Sequence, residues 1–242
     1  HGWAFGMEVA ASRKTLYAWC ERLLARTTDA IIVNSASERM LALRHGIPSG
    51  KVQVISNGVA AAPSGSQAML RAPSIHLAFI GRHDRQKGLD ILLDELGQPG
   101  CAHIHLHVVG RSVACGTSPL IGRALRNVTF HGWLSRGEIA ALMKEMDAVV
   151  MPSRWEAFGL VAIEAMREGV PVIASDKGGL PEIVRHGVDG LIVDIDSPGA
   201  LGRVLSGLDR PSLRRLGRSA RARFKAEFTA ERMNREIAST YA

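Results

Sequence analysis

Two glutamates, Glu156 and Glu164, stand eight residues apart in the most informative stretch of the chain, residues 152–166. Glu156 lies in the loop after the apolar strand predicted for residues 148–151, and Glu164 lies on a helix predicted to begin at Gly159. Free N–H groups at a helix start attract anions, and glycine there lets a ligand approach the backbone closely. A carboxylate further along the helix can accept hydrogen bonds from the hydroxyls of a ribose, and Glu156 can accept them from another polyol. The spacing therefore favours a site for a nucleotide-sugar.

Two cations follow another predicted strand, residues 75–81. Arg82 and Lys87 belong to the segment Gly81-Arg82-His83-Asp84-Arg85-Gln86-Lys87-Gly88. There the guanidinium fork of arginine and the point charge of lysine could straddle a diphosphate. From position alone a solvated loop explains them equally well. The two glutamates on a neighbouring loop favour the functional interpretation.

A run of alternating histidines could hold a metal ion. His103, His105 and His107 alternate with apolar residues, which places all three on one face of a strand, about 6.6 Å apart. Imidazole is a common zinc ligand, but no nearby carboxylate or cysteine completes such a site. A partly solvated strand face is therefore favoured.

Asp194 and Asp196 form a D-x-D pattern, by which some glycosyltransferases hold a metal ion and a diphosphate. The pattern precedes Ser197-Pro198, so an acidic cap with proline just inside a helix is the simpler interpretation. The patterns G-x-x-x-x-G-K-[ST], G-x-G-x-x-G, G-x-S-x-G and H-E-x-x-H do not occur in the sequence. We predict no metal site and no cofactor.

The composition is that of an ordinary globular protein, with 242 residues, 46% of them hydrophobic and 22% charged. A net charge of +7 permits anionic partners. Arginines concentrate near the C-terminus in a helical pattern, for which a solvated helix face is favoured over a binding patch: Arg214, Arg215, Arg218, Arg221 and Arg223. Aromatic residues are few and do not interleave with that run, so nucleic acid is not an expected partner. The three cysteines form no C-x-x-C pair, which fits a reducing compartment.

From residue 75 onward, strands and helices alternate. Strands are predicted at 75–81, 103–109, 127–131, 147–151, 170–174 and 190–193, and helices near 87–96, 117–125, 136–146, 159–168, 180–185, 198–208, 212–226 and 229–241. This alternation predicts a parallel, doubly wound sheet. Gly81, Gly110, Gly132 and Ser153 each follow a strand, so their loops gather at the carboxyl edge of the sheet, where open α/β sheets bind ligands.

The first 58 residues supply only two strands, at 29–33 and 52–55. A helix is predicted at 14–28, and a capping box from Ser35 to Glu38 opens a second helix that stops at Gly46. Two strands cannot close a core, so this part needs a missing half or a partner. Residues 60–74 are rich in Ala, Ser, Pro and Gly and are the best linker candidate. The start at His1, without Met, indicates a fragment of a longer protein.

With these residues placed, the chain resembles the retaining GT-B glycosyltransferases of the large family with the E-x7-E motif, which includes sucrose synthases and bacterial polysaccharide transferases. The matching motifs are Asn57-Gly58, Gly81-Arg82 with Lys87-Gly88, Val108-Val109-Gly110, Phe130-His131-Gly132, Pro152-Ser153, Glu156-Ala157-Phe158-Gly159, Glu164-Ala165, Gly169-Val170-Pro171-Val172, Gly178-Gly179 and Gly190. The opening His1-Gly2-Trp3-Ala4-Phe5, with Glu21-Arg22, is similar to the subgroup that builds bacterial exopolysaccharide or O-antigen.

The resemblance implies two Rossmann-like domains that face a cleft. Residues 1–58 would be the end of the acceptor-side domain, 59–74 the linker, 75–228 the donor-binding domain, and 229–242 a helix that returns toward the first domain. The glycine-rich loop and most acceptor-binding strands of the family's first domain have no counterpart here. The resemblance therefore leaves acceptor recognition by this chain open.

The resemblance also implies roles for individual residues. Arg82 and Lys87 would neutralise the diphosphate, Glu164 would bind the ribose and Glu156 the hydroxyls of the donor sugar. The rest of the donor would be bound by backbone groups. Those of Gly81, Phe158, Gly159 and Leu160 would contact the sugar and the phosphates, and those of Trp133 and Leu134 would contact the base. His1 resembles a histidine of the first domain that lies near the donor sugar.

The implied activity is metal-independent transfer of a hexosyl group, with retention, from a nucleotide-diphospho-sugar to a glycan or polyprenyl-linked acceptor in bacterial polysaccharide synthesis. A cytoplasmic protein in peripheral contact with the inner face of the membrane is expected. Two alternatives stay open at this point. One is a truncated module that binds nucleotide-sugar without transfer, and the other is a different GT-B enzyme, such as a phosphorylase or a sugar-nucleotide epimerase.

Overall fold

The larger unit of the protein is a six-stranded parallel sheet, seen in a computed structural model that describes residues 3–4, 10–61, 73–112 and 126–241. The strand order across the sheet is β5-β4-β3-β6-β7-β8. The strands are β3 (Ile75–Ile80), β4 (Ile104–Val109), β5 (Val128–Gly132), β6 (Ala148–Met151), β7 (Val172–Ser175) and β8 (Gly190–Val193). A smaller parallel pair is formed by β1 (Ile31–Val33) and β2 (Val52–Val54).

Nine helices accompany the strands in the described part of the chain. Those of the first unit are α1 (Ala11–Thr27) and α2 (Ala36–Arg44). Those of the larger unit are α3 (Leu89–Leu96), α4 (Arg136–Glu145), α5 (Leu160–Glu168), α6 (Leu180–Ile183), α7 (Ala200–Ser206) and α8 (Arg210–Glu227), followed by the last helix, α9 (Ala230–Thr240). Short 3₁₀ turns occur at Ser49–Lys51, Arg85–Lys87 and Pro99–Cys101.

The sheet is doubly wound because its two faces bury different side chains of the same strands. On one face, Ala78 and Val149 pack with residues of α4, α5 and α8. On the other face, Leu77 and Leu106 pack with residues of α3 and α7. Side chains alternate along a strand, so burial on both faces makes β6 and β7 fully buried runs, as in other parallel sheets. The predicted α/β class and parallel sheet are confirmed.

Local sequence signals place several helix ends correctly. Ser135 and Glu138 form the full capping box at the start of α4, and Gly169 ends α5 in the left-handed region at φ 79°. β5 extends one residue further than predicted and includes Gly132, while β7 begins two residues later than predicted. The helix predicted for residues 117–125 lies outside the described residues.

The acidic cap predicted before Ser197-Pro198 is wrong. α7 begins at Ala200, and its cap, Gly199, has no side chain to accept a hydrogen bond. Asp194 instead accepts from the Ser197 hydroxyl at 2.7 Å, and Asp196 pairs with Lys177 at 2.7 Å. The two aspartates therefore stabilise a turn before the helix.

The first unit contains the two strands that its sequence predicts, and in its described residues they pair in parallel, with α1 and α2 beside them. The capping box predicted for Ser35 and Glu38 is only half formed. The Ser35 hydroxyl accepts from the Glu38 N–H at 3.1 Å, but the Glu38 carboxylate accepts from the Trp3 N–H at 3.1 Å. Tertiary contact with Trp3 has replaced the second half of the box.

The last helix, α9, lies outside the six-stranded sheet and packs beside the first unit. Val59 exchanges backbone hydrogen bonds with Phe228 and Ala230, and Arg232 donates to the carbonyl of Ser56. Of the large apolar residues that flank this helix, Phe228 is buried whereas Tyr241 is 83% exposed. The contacts that hold α9 beside the first unit are mostly polar.

A row of histidines crosses the same face of β3, β4 and β5. His107 lies in the middle, with Nε2 3.0 Å from His76 Nδ1 and Nδ1 2.9 Å from His131 Nε2. His105 Nε2 lies 2.8 Å from the Thr129 hydroxyl. His103, predicted to belong to the same row, lies in the turn before β4. The row therefore holds His105 and His107 on this strand and continues sideways onto the neighbouring strands. Among the described residues, no group of histidine, cysteine or acidic side chains is arranged to hold a metal ion.

This row should make stability sensitive to acid. Burial, helped by the neighbouring histidines, lowers the pKa of His107 from 6.5 to about 4. Between pH 6.5 and 4, His107 therefore binds a proton in the unfolded chain but not in the folded chain. The free energy of unfolding decreases as the pH falls through this range. Solvent screening reduces the full effect of ~3 kcal/mol to roughly 1–2 kcal/mol. Urea unfolding of the wild type and of His107→Gln at pH 7.5 and 4.5 measures it.

We expect His107→Gln to lose part of the acid-induced drop in unfolding free energy. Part of the drop should persist, because burial also lowers the pKa of His76 and His83. His45→Gln, a change outside the row, serves as the matched control and should follow the wild type. Equal acid sensitivity in wild type and His107→Gln would contradict the assignment.

Candidate functional site

The loops after β3, β4 and β5 are in direct backbone contact at the carboxyl edge of the sheet. The Gly110 N–H donates to the carbonyl of Gly132 at 2.7 Å, and the Gly81 N–H donates to the carbonyl of Val109 at 3.0 Å. Gly110 has φ 128°, and a Cβ there would lie only 1.9 Å from the Gly81 carbonyl oxygen. Any side chain at Gly110 would separate these loops.

The loop after β6 is held against the loop after β3. A Cβ on Gly88 would lie 2.0 Å from the Pro152 carbonyl oxygen, so the two backbones touch there. The Arg154 N–H donates to the Gln86 carbonyl at 2.8 Å, and the Gln86 amide donates to the Trp155 carbonyl at 3.1 Å. These contacts bring Lys87 and Glu156 to the same place from distant parts of the sequence.

Lys87 and Glu156 form an ion pair, with Nζ 2.5 Å from Oε2. Both side chains are mostly buried, with 21% of Lys87 and 12% of Glu156 exposed. The backbone of Glu156 is fixed from behind by Gly178, where a Cβ would lie 1.9 Å from the Glu156 carbonyl oxygen. The sequence predicted both residues for the site, but it did not predict that they contact each other.

Arg82 remains more accessible than Lys87. Its guanidinium contacts Asp84 at 3.1 Å and the Gln86 side chain at 3.0 Å, and 54% of the side chain is exposed. The cation predicted to face a diphosphate therefore lies at the opening of the site. Its roles toward a ligand stay predictions.

α5 begins at the site, with its first N–H groups unpaired within the helix. Gly159 caps it with φ 111°, in the backbone region that glycine adopts most readily. Phe158 is buried, and its ring packs near Phe228 with the ring centroids 6.3 Å apart. Leu160 is half exposed at the first helical position.

Glu164 lies one turn into α5 and is partly buried. Burial raises the pKa of its carboxyl above the usual range, opposed by the positive charges of Arg167 and Arg136. A carboxylate that has lost part of its hydration gains more from ligand hydroxyl donors than a fully solvated one. Its predicted contact with paired hydroxyls stays a prediction.

Two cavities open at this edge. The larger, about 590 Å³, lies over the ends of β3, β4 and β5, and its described lining residues are Ile80, Gly81, Arg82, Val109, Gly110, Arg111, Ser112, Trp133, Leu134 and Ile139. Trp133 is 68% exposed and offers an apolar surface in this cavity. The smaller, about 240 Å³, lies at the start of α5 beside Lys87 and Glu156.

The first unit contributes to the smaller cavity. Asn34, which follows β1, and Asn57 both line it. The Ser35 hydroxyl donates to the Ala157 carbonyl at 2.9 Å, and the carboxylate of Glu182 accepts from the N–H groups of Ala36 and Ser37, both at 2.7 Å. The carboxylate thus caps α2 from the other unit.

Four residues line these cavities without having been predicted from the sequence: Asn34, Arg111, Ser112 and Ile139. Arg111 could have been found, because it follows a glycine at a strand end just as Arg82 does. Asn34 carried no such signal, since nothing in the sequence indicated how the two units meet. His1 lies outside the described residues, so its predicted place near the donor sugar stays a prediction.

Comparison with known proteins supports a common fold and family. Residues 74–208 match the family model described as glycosyl transferases group 1, and residues 1–58 match a glycosyl transferase 4-like domain. An uncharacterised 41.2 kDa protein from the cps region of Klebsiella pneumoniae is 34% identical over 85% of this chain. Glycogen synthase of Mycobacterium tuberculosis is 32% identical over 99% of this chain. The chain spans 59% of the length of both relatives.

Solved structures agree. Sucrose-phosphate synthase from Thermosynechococcus elongatus has a TM-score of 0.81 at 27% identity, covering 100% of this chain and 65% of that protein. HepE from Anabaena, solved with UDP and glucose, has a TM-score of 0.78 at 23% identity, covering 94% of this chain and 67% of that protein. The chain therefore has the GT-B type of fold and belongs to the group 1 glycosyl transferases.

Proposed function

We propose that this chain forms the donor-binding part of a retaining glycosyltransferase that moves a hexosyl group from a nucleotide-diphospho-sugar. The observation that carries the proposal is the Lys87–Glu156 pair at the start of α5, 2.5 Å apart beside a cavity. A lysine that is ion-paired with a carboxylate can neutralise a diphosphate, while the carboxylate accepts hydrogen bonds from sugar hydroxyls.

In the proposed reaction the bond between the sugar's anomeric carbon and the diphosphate breaks. The acceptor hydroxyl attacks from the face that the diphosphate leaves, and its proton passes to a departing phosphate oxygen, so the configuration is retained. Arg82, Lys87 and the N–H groups at the start of α5 stabilise the charge on the leaving group. No step of this proposal requires a metal ion.

The relatives support the donor and favour a role in bacterial polysaccharide synthesis. HepE is solved with UDP and glucose, and the protein from Klebsiella pneumoniae lies in a cps region. We propose a glycan or polyprenyl-linked acceptor. Glu156 and Glu164, the two ends of the E-x7-E motif, would contact the sugar and the ribose.

Peripheral contact with a membrane belongs to the same proposal. None of the helices in the described residues combines the length and apolar character needed to span a bilayer. The net charge of +7 supports attraction to an anionic lipid surface at the cytoplasmic face. If the fraction of protein that floats with vesicles did not change with salt concentration or anionic lipid content, this contact would be contradicted.

A ligand-stabilisation screen tests the donor. Unfolding temperatures would be measured for this chain with UDP-, GDP- and ADP-sugars and with the matching nucleosides. A nucleotide-sugar at one hundred times its Kd should stabilise the chain by about 2.7 kcal/mol, whereas nucleosides should do much less. If no nucleotide-sugar raises the unfolding temperature, the proposal is wrong.

A release assay then separates the alternatives. Transfer requires an acceptor before nucleoside diphosphate is released, a phosphorylase requires phosphate, and an epimerase releases no nucleotide. Binding without release under all three conditions indicates a module that holds nucleotide-sugar only. The assay is run on this 242-residue chain.

A further inference from the structure

A second Gly-Arg pair follows β4, in register with the one that follows β3. Ile80 pairs with Val109 in the sheet, so Gly81-Arg82 and Gly110-Arg111 leave adjacent strands side by side. The backbones also touch, because the His83 N–H donates to the Arg111 carbonyl at 3.1 Å. Two arginines therefore start from equivalent positions at the same edge of the sheet.

Both arginines line the 590 Å³ cavity, and no aspartate or glutamate is among its described lining residues. Arg82 contacts Asp84, outside that lining. Arg111 is exposed and has no ion pair with any described residue. Two guanidinium groups beside one cavity repel each other, and an anion between them offsets that repulsion. The electrostatics of the cavity therefore favour an anionic group on this side.

The order of the strands separates the two arginines along the edge. Trp133 follows β5, Arg111 follows β4, Arg82 follows β3 and Glu156 follows β6, in the order of the sheet. Arg111 therefore lies nearer the apolar, aromatic end of the cavity, and Arg82 lies nearer the Lys87–Glu156 pair. A nucleotide whose base lies at the Trp133 end would place the phosphate attached to the nucleoside near Arg111. Its outer phosphate would then lie near Arg82.

We infer that Arg111 is a further donor-binding residue, which holds the phosphate attached to the nucleoside, while Arg82 holds the outer phosphate. The inference rests on the proposed function, since it presumes a nucleotide donor. The planar guanidinium can contact two oxygens of one phosphate, which suits this assignment better than a lysine would. The role of Arg111 can then be tested with a nucleoside monophosphate, and the role of Arg82 with a nucleoside diphosphate.

The test is calorimetry on the 242-residue chain with a nucleoside and its mono- and diphosphate. The uridine, guanosine and adenosine series are compared first, and the series that the wild type binds most tightly is used. Arg111→Gln should weaken the monophosphate and the diphosphate each by about tenfold and leave the nucleoside unchanged. Arg82→Gln should weaken the diphosphate by about tenfold and the monophosphate much less.

Two further variants control for folding and charge. Arg126→Gln removes an exposed arginine just before β5, at the opposite edge of the sheet, and should bind all three ligands as the wild type does. Arg111→Lys keeps the charge without the fork and should lose less affinity than Arg111→Gln. Unchanged unfolding temperatures for all variants would exclude a purely structural effect.

The outcomes separate the inference from the proposed function. Wild-type failure to bind any nucleotide overturns both. Nucleotide binding that Arg111→Gln leaves intact overturns the role of Arg111 alone. An equal loss for nucleoside and nucleotides would show that Arg111 acts on the base or ribose, which also overturns it.

Discussion

Replacing Lys87 by methionine should weaken binding of a nucleoside diphosphate by about one hundredfold and leave the nucleoside nearly unaffected. A charge-assisted contact to phosphate contributes about 1.5–3 kcal/mol, which corresponds to roughly ten- to one-hundredfold in Kd. The upper end applies because the Glu156 carboxylate, now without its partner 2.5 Å away, would repel the incoming diphosphate. Calorimetry with both ligands measures the effect.

The double variant separates the two causes. If repulsion by Glu156 adds to the lost contact, Lys87→Met with Glu156→Gln should bind nucleoside diphosphate more tightly than Lys87→Met alone. Glu156→Gln alone should weaken nucleotide-sugar more than nucleoside diphosphate, because its proposed partner is the sugar. Equal losses for both ligands would make that assignment wrong.

Another lysine–glutamate pair provides the control. Lys144 lies 3.9 Å from the buried Glu168, on the α4–α5 side of the sheet and away from the loops of the carboxyl edge. Lys144→Met should therefore lower stability somewhat without changing the affinity for any nucleotide. If it weakened diphosphate binding as much as Lys87→Met does, the effect would be one of general charge or folding.

Strand and helix order followed from the sequence because parallel strands that are buried on both faces leave continuous apolar runs. The loops that open with Gly81, Gly110 and Gly132 could be assigned to one edge for the same reason. The register between β3 and β4 could not be predicted from the sequence, and this register aligns Arg111 with Arg82. A pattern along one strand carries no information on which residue of the neighbouring strand lies beside it.

Contacts between distant segments explain the other differences. Glu38 forms half of its predicted cap because Trp3 supplies a second donor, and α2 is capped from outside by Glu182. Asp196 binds Lys177 instead of starting α7. In each case a local preference of about 1 kcal/mol competes with tertiary hydrogen bonds or ion pairs. Sequence spacing predicts the local preference alone.

Replacing Glu164 by glutamine should weaken nucleotide and nucleotide-sugar alike, by roughly ten- to one-hundredfold. The proposed partners, the two ribose hydroxyls, are common to both ligands, and a hydrogen bond to a charged group contributes about 1.5–3 kcal/mol. Glutamine keeps the size of the side chain and one acceptor oxygen, so the loss reports on the charge. Glu231→Gln on α9, an exposed glutamate far along the chain, is the matched control.

Acid provides an independent test of the same residue. Burial raises the pKa of Glu164 above its usual value of 4.5, so the carboxylate is lost at a higher pH than an exposed one would be. Because the ionised form is the better acceptor, affinity should fall as the pH is lowered from neutrality toward that raised pKa. A nucleotide-sugar is the suitable ligand, since its diphosphate carries no terminal phosphate that titrates in this range. Glu164→Gln should bind it weakly at every pH, and an acid-induced loss of affinity in that variant as large as in the wild type would assign the titration to another group.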